Sequence, residues 1–272
     1  MYAVYKGRIP GIYMTWIECK NQINGFSGAK FKKFDNIIDA KKFVKTGEIS
    51  DTYIINNKVI DRNKSIINIY TDGSCYGNGN KISYGGFGIY SSDLNIKYSE
   101  SLSSPCTNNI AEINAILKTL ELIEDFLKDE TILINIYTDS EYSIKAFTTF
   151  GDKCHKMLWK NNPKNKELIK LGYYKIKSTN NIRFNHIYSH TGKSDIHSIG
   201  NENADNLANL GLLKSIDNSD NIGYNKFKNG KYKGQSLNHI KDIDITYLSW
   251  YLKNKPYKKE DTFLYILKKY IN

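Results

Sequence analysis

Ile67-Asn68-Ile69-Tyr70-Thr71-Asp72 and Ile134-Asn135-Ile136-Tyr137-Thr138-Asp139 are the same six residues written twice. Each copy is apolar, β-branched and aromatic and closes on an aspartate, the pattern of a short buried strand with a charge at its end. Between the copies, residues 111–127 are helical by pattern, with Ile113, Ile116, Leu117, Leu120, Ile123 and Leu127 on one face. A strand–helix–strand passage places its two strands in parallel through a right-handed crossover. Asp72 and Asp139 then share one sheet end. Two carboxylates held that close repel unless a proton or a cation lies between them, so the repeat predicts a metal site.

Working outward, a Gly-rich turn is expected over Asp72–Gly79 and strands over 86–91 and 97–102, an antiparallel meander. Helices are expected over 141–147, 165–176 and 201–213, and a strand over 182–188. The fold class is α/β, with a five-stranded mixed sheet flanked by helices. Glu112 falls in the first turn of its helix with Asn108 as a candidate cap, and Asp205 near the start of the last helix. Four carboxylates at strand ends and helix starts can converge on one rim of the sheet, where open α/β sheets bind ligands.

The 272 residues suffice for one ample core or two to three small domains. Hydrophobic residues make up 40% and charged ones 25%, the balance of a globular chain. No apolar run approaches the roughly 18 residues of a membrane span, and Tyr2-Ala3-Val4-Tyr5 lacks the form of an export signal. Cys19, Cys75, Cys106 and Cys154 are scattered, with no Cys-x-x-Cys pair, which suits a reduced protein without structural zinc. The expected location is intracellular, in cytoplasm, nucleus or a viral replication site, and the protein is not secreted. Net charge is +11. Residues 1–64 hold twelve Lys and Arg against six acids, 65–213 fifteen against sixteen, and 214–272 twelve against six. A neutral block between two cationic flanks suits a polyanionic substrate gripped by the flanks. Polar, turn-rich stretches at 46–64 and 214–226 read as linkers. They divide the chain into 1–45, 65–213 and 227–272.

Thr71-Asp72-Gly73-Ser74, Thr107-Asn108-Asn109-x-x-Glu112, Thr138-Asp139-Ser140, His190-Thr191-Gly192 and Gly200-Asn201-Glu202-x-x-Asp205 resemble type 1 ribonuclease H in order and in rough spacing. The resemblance covers about 65–213 and implies a ribonuclease H-like fold. It also implies an endonuclease that hydrolyses the RNA strand of RNA–DNA hybrids, leaving 5′-phosphate and 3′-hydroxyl ends, with roles in primer or R-loop removal. By resemblance, Asp72, Glu112, Asp139 and Asp205 hold two Mg²⁺ ions, with Mn²⁺ an alternative, and His190 assists turnover. Asn78, Thr107, Asn108 and Asn109 match positions that read the substrate, whose 2′-OH separates RNA from DNA. The sequence departs from the family in three places. A loop at 193–198 lengthens the interval from His190 to Asp205 and introduces His197, the alternative to His190 as the histidine that assists turnover. Ser189 stands where Gly is frequent. Pro105-Cys106 carries no Arg before Thr107. The basic handle of the family has its nearest candidate in 153–170, with Trp159, Lys160, Lys164, Lys166 and Lys170. A hybrid-binding module that does not cut, and a related nuclease that trims ends, are the competing readings. The full carboxylate set disfavours the first, and the 107–112 and 201–205 motifs disfavour the second.

Tyr2-Ala3-Val4-Tyr5-Lys6-Gly7-Arg8, Gly11-Ile12-Tyr13, Trp16 and Phe31-Lys32-Lys33-Phe34 resemble the small α+β hybrid-binding domain found ahead of many cellular ribonucleases H. By resemblance Tyr2, Trp16 and Phe31 meet the nucleic acid, and Lys32 and Lys33 hold phosphates. Double-stranded RNA is a second ligand this domain could take, and a monomer is expected. At the C-terminus, Asn229-Gly230-Lys231-Tyr232-Lys233-Gly234 and Asp244–Leu252 resemble a small module appended to some exonucleases and viral proteins. Its Gly-Lys turn could touch phosphate, while Trp250 and Leu252 are expected in its core.

Overall fold

The computed structural model describes residues 1–34, 37–47, 52–54, 65–188, 195–255 and 261–272. The chain forms two compact units, Met1–Thr52 and Tyr53–Asn272.

In the first unit β1 (Tyr2–Lys6) is flanked on both sides, antiparallel, by β2 (Gly11–Tyr13) and β3 (Lys30–Lys33). Helix α1 (Trp16–Ile23) starts at a reciprocal capping box, in which Thr15 accepts from the Glu18 amide and the Glu18 carboxylate accepts from the Thr15 amide. Helix α2 (Ile37–Thr46) supplies Ala40 and Phe43, which close a small core with Ala3 and Phe34. Most of the expected linker at 46–64 lies outside the described residues; within it Thr52–Ile54 forms a short strand, β4.

The second unit is built on β5 (Ser65–Tyr76), β6 (Tyr84–Ser91), β7 (Ile96–Leu102), β8 (Ile132–Thr138) and β9 (Ile182–His186). They are ordered β9-β8-β5-β6-β7, with β4 added at the β9 edge. Strands β5, β6 and β7 run antiparallel to one another as a meander. Strands β5 and β8 pair in parallel, and the two hexapeptides lie in register: Ile67↔Ile134, Asn68↔Asn135, Ile69↔Ile136, Tyr70↔Tyr137. Equivalent side chains therefore touch. The Asn135 amide donates to Asn68 Oδ1 at 3.1 Å, and the Tyr70 and Tyr137 rings stack at 5.0 Å. Helices α3 (Asn108–Leu122), α4 (Glu141–Phe147), α5 (Thr149–Lys156) and α6 (Lys166–Lys177) enclose the main core, including Ile69, Ile113, Ile116, Ile136, Phe147 and Phe184.

Helix α7 (Ile196–Asp217) covers the other face. It approaches β6 to backbone distance because Gly86 and Gly88 carry no side chain: a Cβ at Gly86 would strike the Leu212 amide, and one at Gly88 the Ala204 carbonyl and Ala208 amide. Two C-terminal helices follow, α8 (Leu237–Asn254) and α9 (Thr262–Ile271).

Several expectations need correction. Strand β5 continues four residues past Asp72, because its antiparallel partner β6 pairs as far as Tyr76↔Tyr84 although the parallel ladder with β8 stops at Tyr70. Asp72 is therefore interior to a strand, and the turn begins later. Helix α3 starts at Asn108, capped by the Thr107 hydroxyl rather than by Asn108, so Glu112 sits in its second turn. Helix α7 starts at Ile196, where the Asp195 carboxylate accepts from the His197 and Ser198 amides, so Asp205 is mid-helix. The stretch 214–226 is not a linker. Ile216 and Ile222 are buried in one core with Tyr84, Leu212, Phe227, Leu237, Ile240 and Leu264, which fuses the C-terminal helices to α7. Trp250 is 55% exposed rather than core.

Candidate metal centre

Strand β5 alternates its side chains between the two sheet faces. Ile67 and Ile69 pack toward α3, and Gly73 falls in the same set; a Cβ there would collide with the Glu112 amide. Tyr70, Asp72, Ser74 and Tyr76 form the opposite set. Tyr70 lies against Gly200 of α7, and Ser74 Oγ donates to Asn209 Oδ1 at 2.7 Å. Close packing at Gly73 draws the second turn of α3 onto the strand, so Glu112 reaches Asp72. Asp139 follows the last residue of β8, beside β5. Asp72, Glu112 and Asp139 thus each offer a carboxylate oxygen within 4.8 Å of the others.

Asp72 and Glu112 are 7% and 3% exposed. Burial, then the charges of Asp139 and Asp205, push the Asp72 carboxyl up to about 8. Burial, and then the Asp72 and Asp139 charges, raise Glu112 well above the usual carboxylate range. The cause is desolvation of like charges, and a cation among them relieves it. Glu112 Oε2 is buried without a hydrogen-bond partner among the described residues, an acceptor left for a ligand. Three hard oxygen donors fit Mg²⁺ or Mn²⁺ far better than a soft metal.

Asp205 stands outside this tight group yet close enough for its charge to raise Asp72. Its Oδ1 accepts from the Asn209 side chain at 3.0 Å, so Ser74, Asn209 and Asp205 form one chain of contacts. His190 lies outside the described residues. His197, in the first turn of α7, stacks on Tyr137 at 4.4 Å, and its Nδ1 lies 3.1 Å from the Tyr70 hydroxyl. That places it in the aromatic wall of α7. Asn78 is exposed, and its Oδ1 accepts from the Asn108 amide at 3.0 Å, tying the turn after β5 to the start of α3. Asn108 and Asn109 are exposed at that helix start beside the capping residue Thr107. Trp159, a candidate for the basic handle, is 4% exposed and belongs to the core.

Three positioning roles escaped the sequence reading. Ser74 follows Asp72 at strand period and Asn209 follows Asp205 by one helical turn, so spacing could have found both. His186 closes β9, and its Nε2 lies 3.0 Å from the Asp139 carbonyl; only strand order places it there.

In the first unit Tyr2, Trp16 and Phe31 form a row, with ring centroids 5.4 Å apart for Tyr2–Trp16 and 5.7 Å for Trp16–Phe31. Trp16 and Phe31 are 43% and 40% exposed, and Lys32 and Lys33 are exposed on the same edge strand. Phe34 is buried, as core.

Three protein families match the chain: RNase H over residues 63–212, the ribonuclease H1 N-terminal domain over 1–44, and an exodeoxyribonuclease X-like C-terminal domain over 227–255. The chain is 26% identical to human ribonuclease H1 over 269 residues, covering 79% of this chain and 90% of that protein. It is 27% identical to the ribonuclease H of Schizosaccharomyces pombe, covering 77% of this chain and 96% of that protein. A solution structure of the PFV RNase H domain is 22% identical with a TM-score of 0.46, over 56% of this chain and 96% of that one.

Proposed function

The chain belongs to the RNase H family, which it matches over more than half its length, and on that premise we propose that it cuts the RNA strand of RNA–DNA hybrids internally, in the presence of Mg²⁺ or Mn²⁺. The observation that carries this reading is the buried, partnerless Glu112 Oε2 within a group of three carboxylates.

Asp72, Glu112 and Asp139 would hold the cations, with Asp205 completing the set from α7. When bound, a pair of divalent ions activates water and neutralises charge at the phosphate and the leaving oxygen, giving 5′-phosphate and 3′-hydroxyl products. The protein's own part is positioning. The Gly73 contact fixes Glu112 against Asp72, and the Ser74–Asn209 bond fixes the α7 turn that carries Asp205. His186, on the Asp139 carbonyl, holds the backbone at the end of β8. Asn78 ties the turn after β5 to the Asn108–Asn109 helix start, which faces outward to read the minor groove and its 2′-hydroxyls. His190 is assigned to turnover, shuttling protons or releasing product.

The first unit adds binding. Its row of Tyr2, Trp16 and Phe31 lies against sugars and bases of the hybrid while Lys32 and Lys33 take phosphates, and duplex RNA is the second ligand to test. The protein acts as an intracellular monomer. The test uses a hybrid labelled on each strand, with and without Mg²⁺. Cleavage confined to the RNA strand and dependent on the cation supports the reading. Equal cutting of an all-DNA duplex, or cutting in chelator, would sink it.

A further inference from the structure

The second unit carries a cationic, aromatic groove away from the carboxylate group. Tyr76 lies on the same side of β5 as Asp72 and four residues further on, about 13 Å along an extended strand. It borders two adjoining depressions of about 440 Å³ each. One is walled by Lys81, Lys226 and Lys228; the other runs past Asn229, Tyr251 and Asp261, whose carboxylate is engaged in capping α9, to Lys255. Asn229, Tyr251 and Lys255 also wall a third cavity, of about 680 Å³, which opens between the Gly230–Lys231 turn and Trp250. The shared lining residues set the three cavities side by side between the end of β5 and α8.

Its lining is unlike a protein core. Trp250 is 55% exposed and stacks on Tyr247 at 5.5 Å with 27° between the rings. The local core is made without it, by Phe227, Tyr251 and Phe263. Residues 226–255 hold seven lysines against two acids. Lys228 Nζ lies 4.7 Å above the Tyr76 ring. Lys231 pairs with Asp244 at 3.0 Å, but the lysine is exposed, and such a pair opens at little cost. Gly230 and Gly234 both have positive φ, which shapes the turn that presents Lys231.

We propose that this groove binds a single strand of nucleic acid extending from the hybrid in the catalytic site, its phosphates on Lys226, Lys228 and Lys231 and a base on Trp250. Cations spaced along a track with a flat exposed ring are what an unpaired strand needs. An acidic protein segment would satisfy the lysines but leave the Tyr247–Trp250 plate without a planar partner. The inference rests on the hybrid-cutting reading only for where the duplex lies.

The test measures binding of the full chain in EDTA to three labelled hybrids: blunt, and with a 5′ or a 3′ single-stranded extension of about ten nucleotides, within the range one site covers. One extension should tighten binding by about fivefold or more. Trp250→Ala, and separately the Lys228→Ala/Lys231→Ala pair, should remove that gain while leaving cleavage of the blunt hybrid in Mg²⁺ unchanged. Trp250→Phe, which keeps a stacking ring, should keep most of it. Equal binding of all three hybrids overturns the proposal, as does a gain that survives both variants. Tighter binding of polyglutamate than of an oligonucleotide at this surface assigns it to an acidic protein and also overturns it. Failure of the blunt hybrid to be cut counts against the catalytic reading alone, because the extension comparison needs no cleavage.

Discussion

Asp72 and Glu112, both buried, each bring a carboxylate oxygen within 4.8 Å of the other where β5 meets α3, and two desolvated like charges at that range favour holding a proton. The folded protein without a cation therefore holds at least one carboxyl protonated near neutral pH.

That has a signed consequence for stability. Asp72 is raised to about 8 in the fold, against an unfolded value of roughly 4. A raised carboxyl contributes stability that is fully present below the unfolded value and is lost as pH rises through the folded one. In chelator, the wild type should weaken between pH of about 4 and 8 relative to Asp72→Asn, which has no proton to lose. The variant should be the more stable by roughly 1–3 kcal/mol at pH 8, after allowing for relaxation around the buried charges, and no more stable at pH 4. Thermal melts in EDTA at both values check this; parallel curves for the two proteins would refute it. Mg²⁺ should remove most of the wild-type slope.

Asp139→Asn removes one of the three clustered carboxylates without altering shape. On the proposed cation-dependent mechanism, cleavage should fall by about a thousandfold or more, while hybrid affinity in EDTA stays within about twofold. Single-turnover cleavage and anisotropy read the two quantities separately. A variant that lost binding in proportion to cleavage would contradict the assignment.

Gly73→Ala places a methyl group against the Glu112 amide and the Ala111 backbone. Backbone cannot rotate aside as a side chain can, so overpacking should cost about 1–3 kcal/mol and move Glu112 away from Asp72. Activity should drop further than the melting temperature alone accounts for. Ser74→Ala, on the opposite strand face, should lose less fold stability, and its loss of activity should come through Asn209 and Asp205.

Phe227→Ala should destabilise the catalytic unit by about 3–5 kcal/mol, because Phe227 is 1% exposed in the core shared with Tyr84, Leu212 and Ile216. For the same reason, a chain ending at 226 should fold poorly. Urea denaturation with a single transition reports this; a stable, active 1–226 fragment would show that the C-terminal helices are dispensable.

Deleting residues 1–45 should leave cutting of short hybrids intact and reduce successive cuts on long ones, since a tethered binding unit raises local substrate concentration. Trp16→Ala should reproduce part of the loss. The distribution of products from a long hybrid at enzyme-limiting concentration measures it, and an unchanged distribution would remove the first unit from the cutting reaction.

The repeated hexapeptide made the central sheet legible in the sequence. Two identical β-branched strands around an amphipathic helix have one favourable arrangement, and their in-register pairing through Asn68–Asn135 and Tyr70–Tyr137 follows from it. The aspartates and Glu112 were legible for the same reason: strand and helix periods fix which side a residue faces, and motif order supplied the partners. Only the tertiary structure decided the rest. Strand β5 outruns Asp72 because β6, a partner on its other edge, keeps it paired. Helix α7 begins five residues early because Asp195 caps it, and Asp205 reaches the site from mid-helix because Gly86 and Gly88 let α7 lie close. The polar stretch 214–226 read as a linker, yet its few apolar residues meet those of α8 and α9 across a core that local composition cannot register. Local pattern fixes the direction a side chain points; what it meets depends on elements distant in the chain.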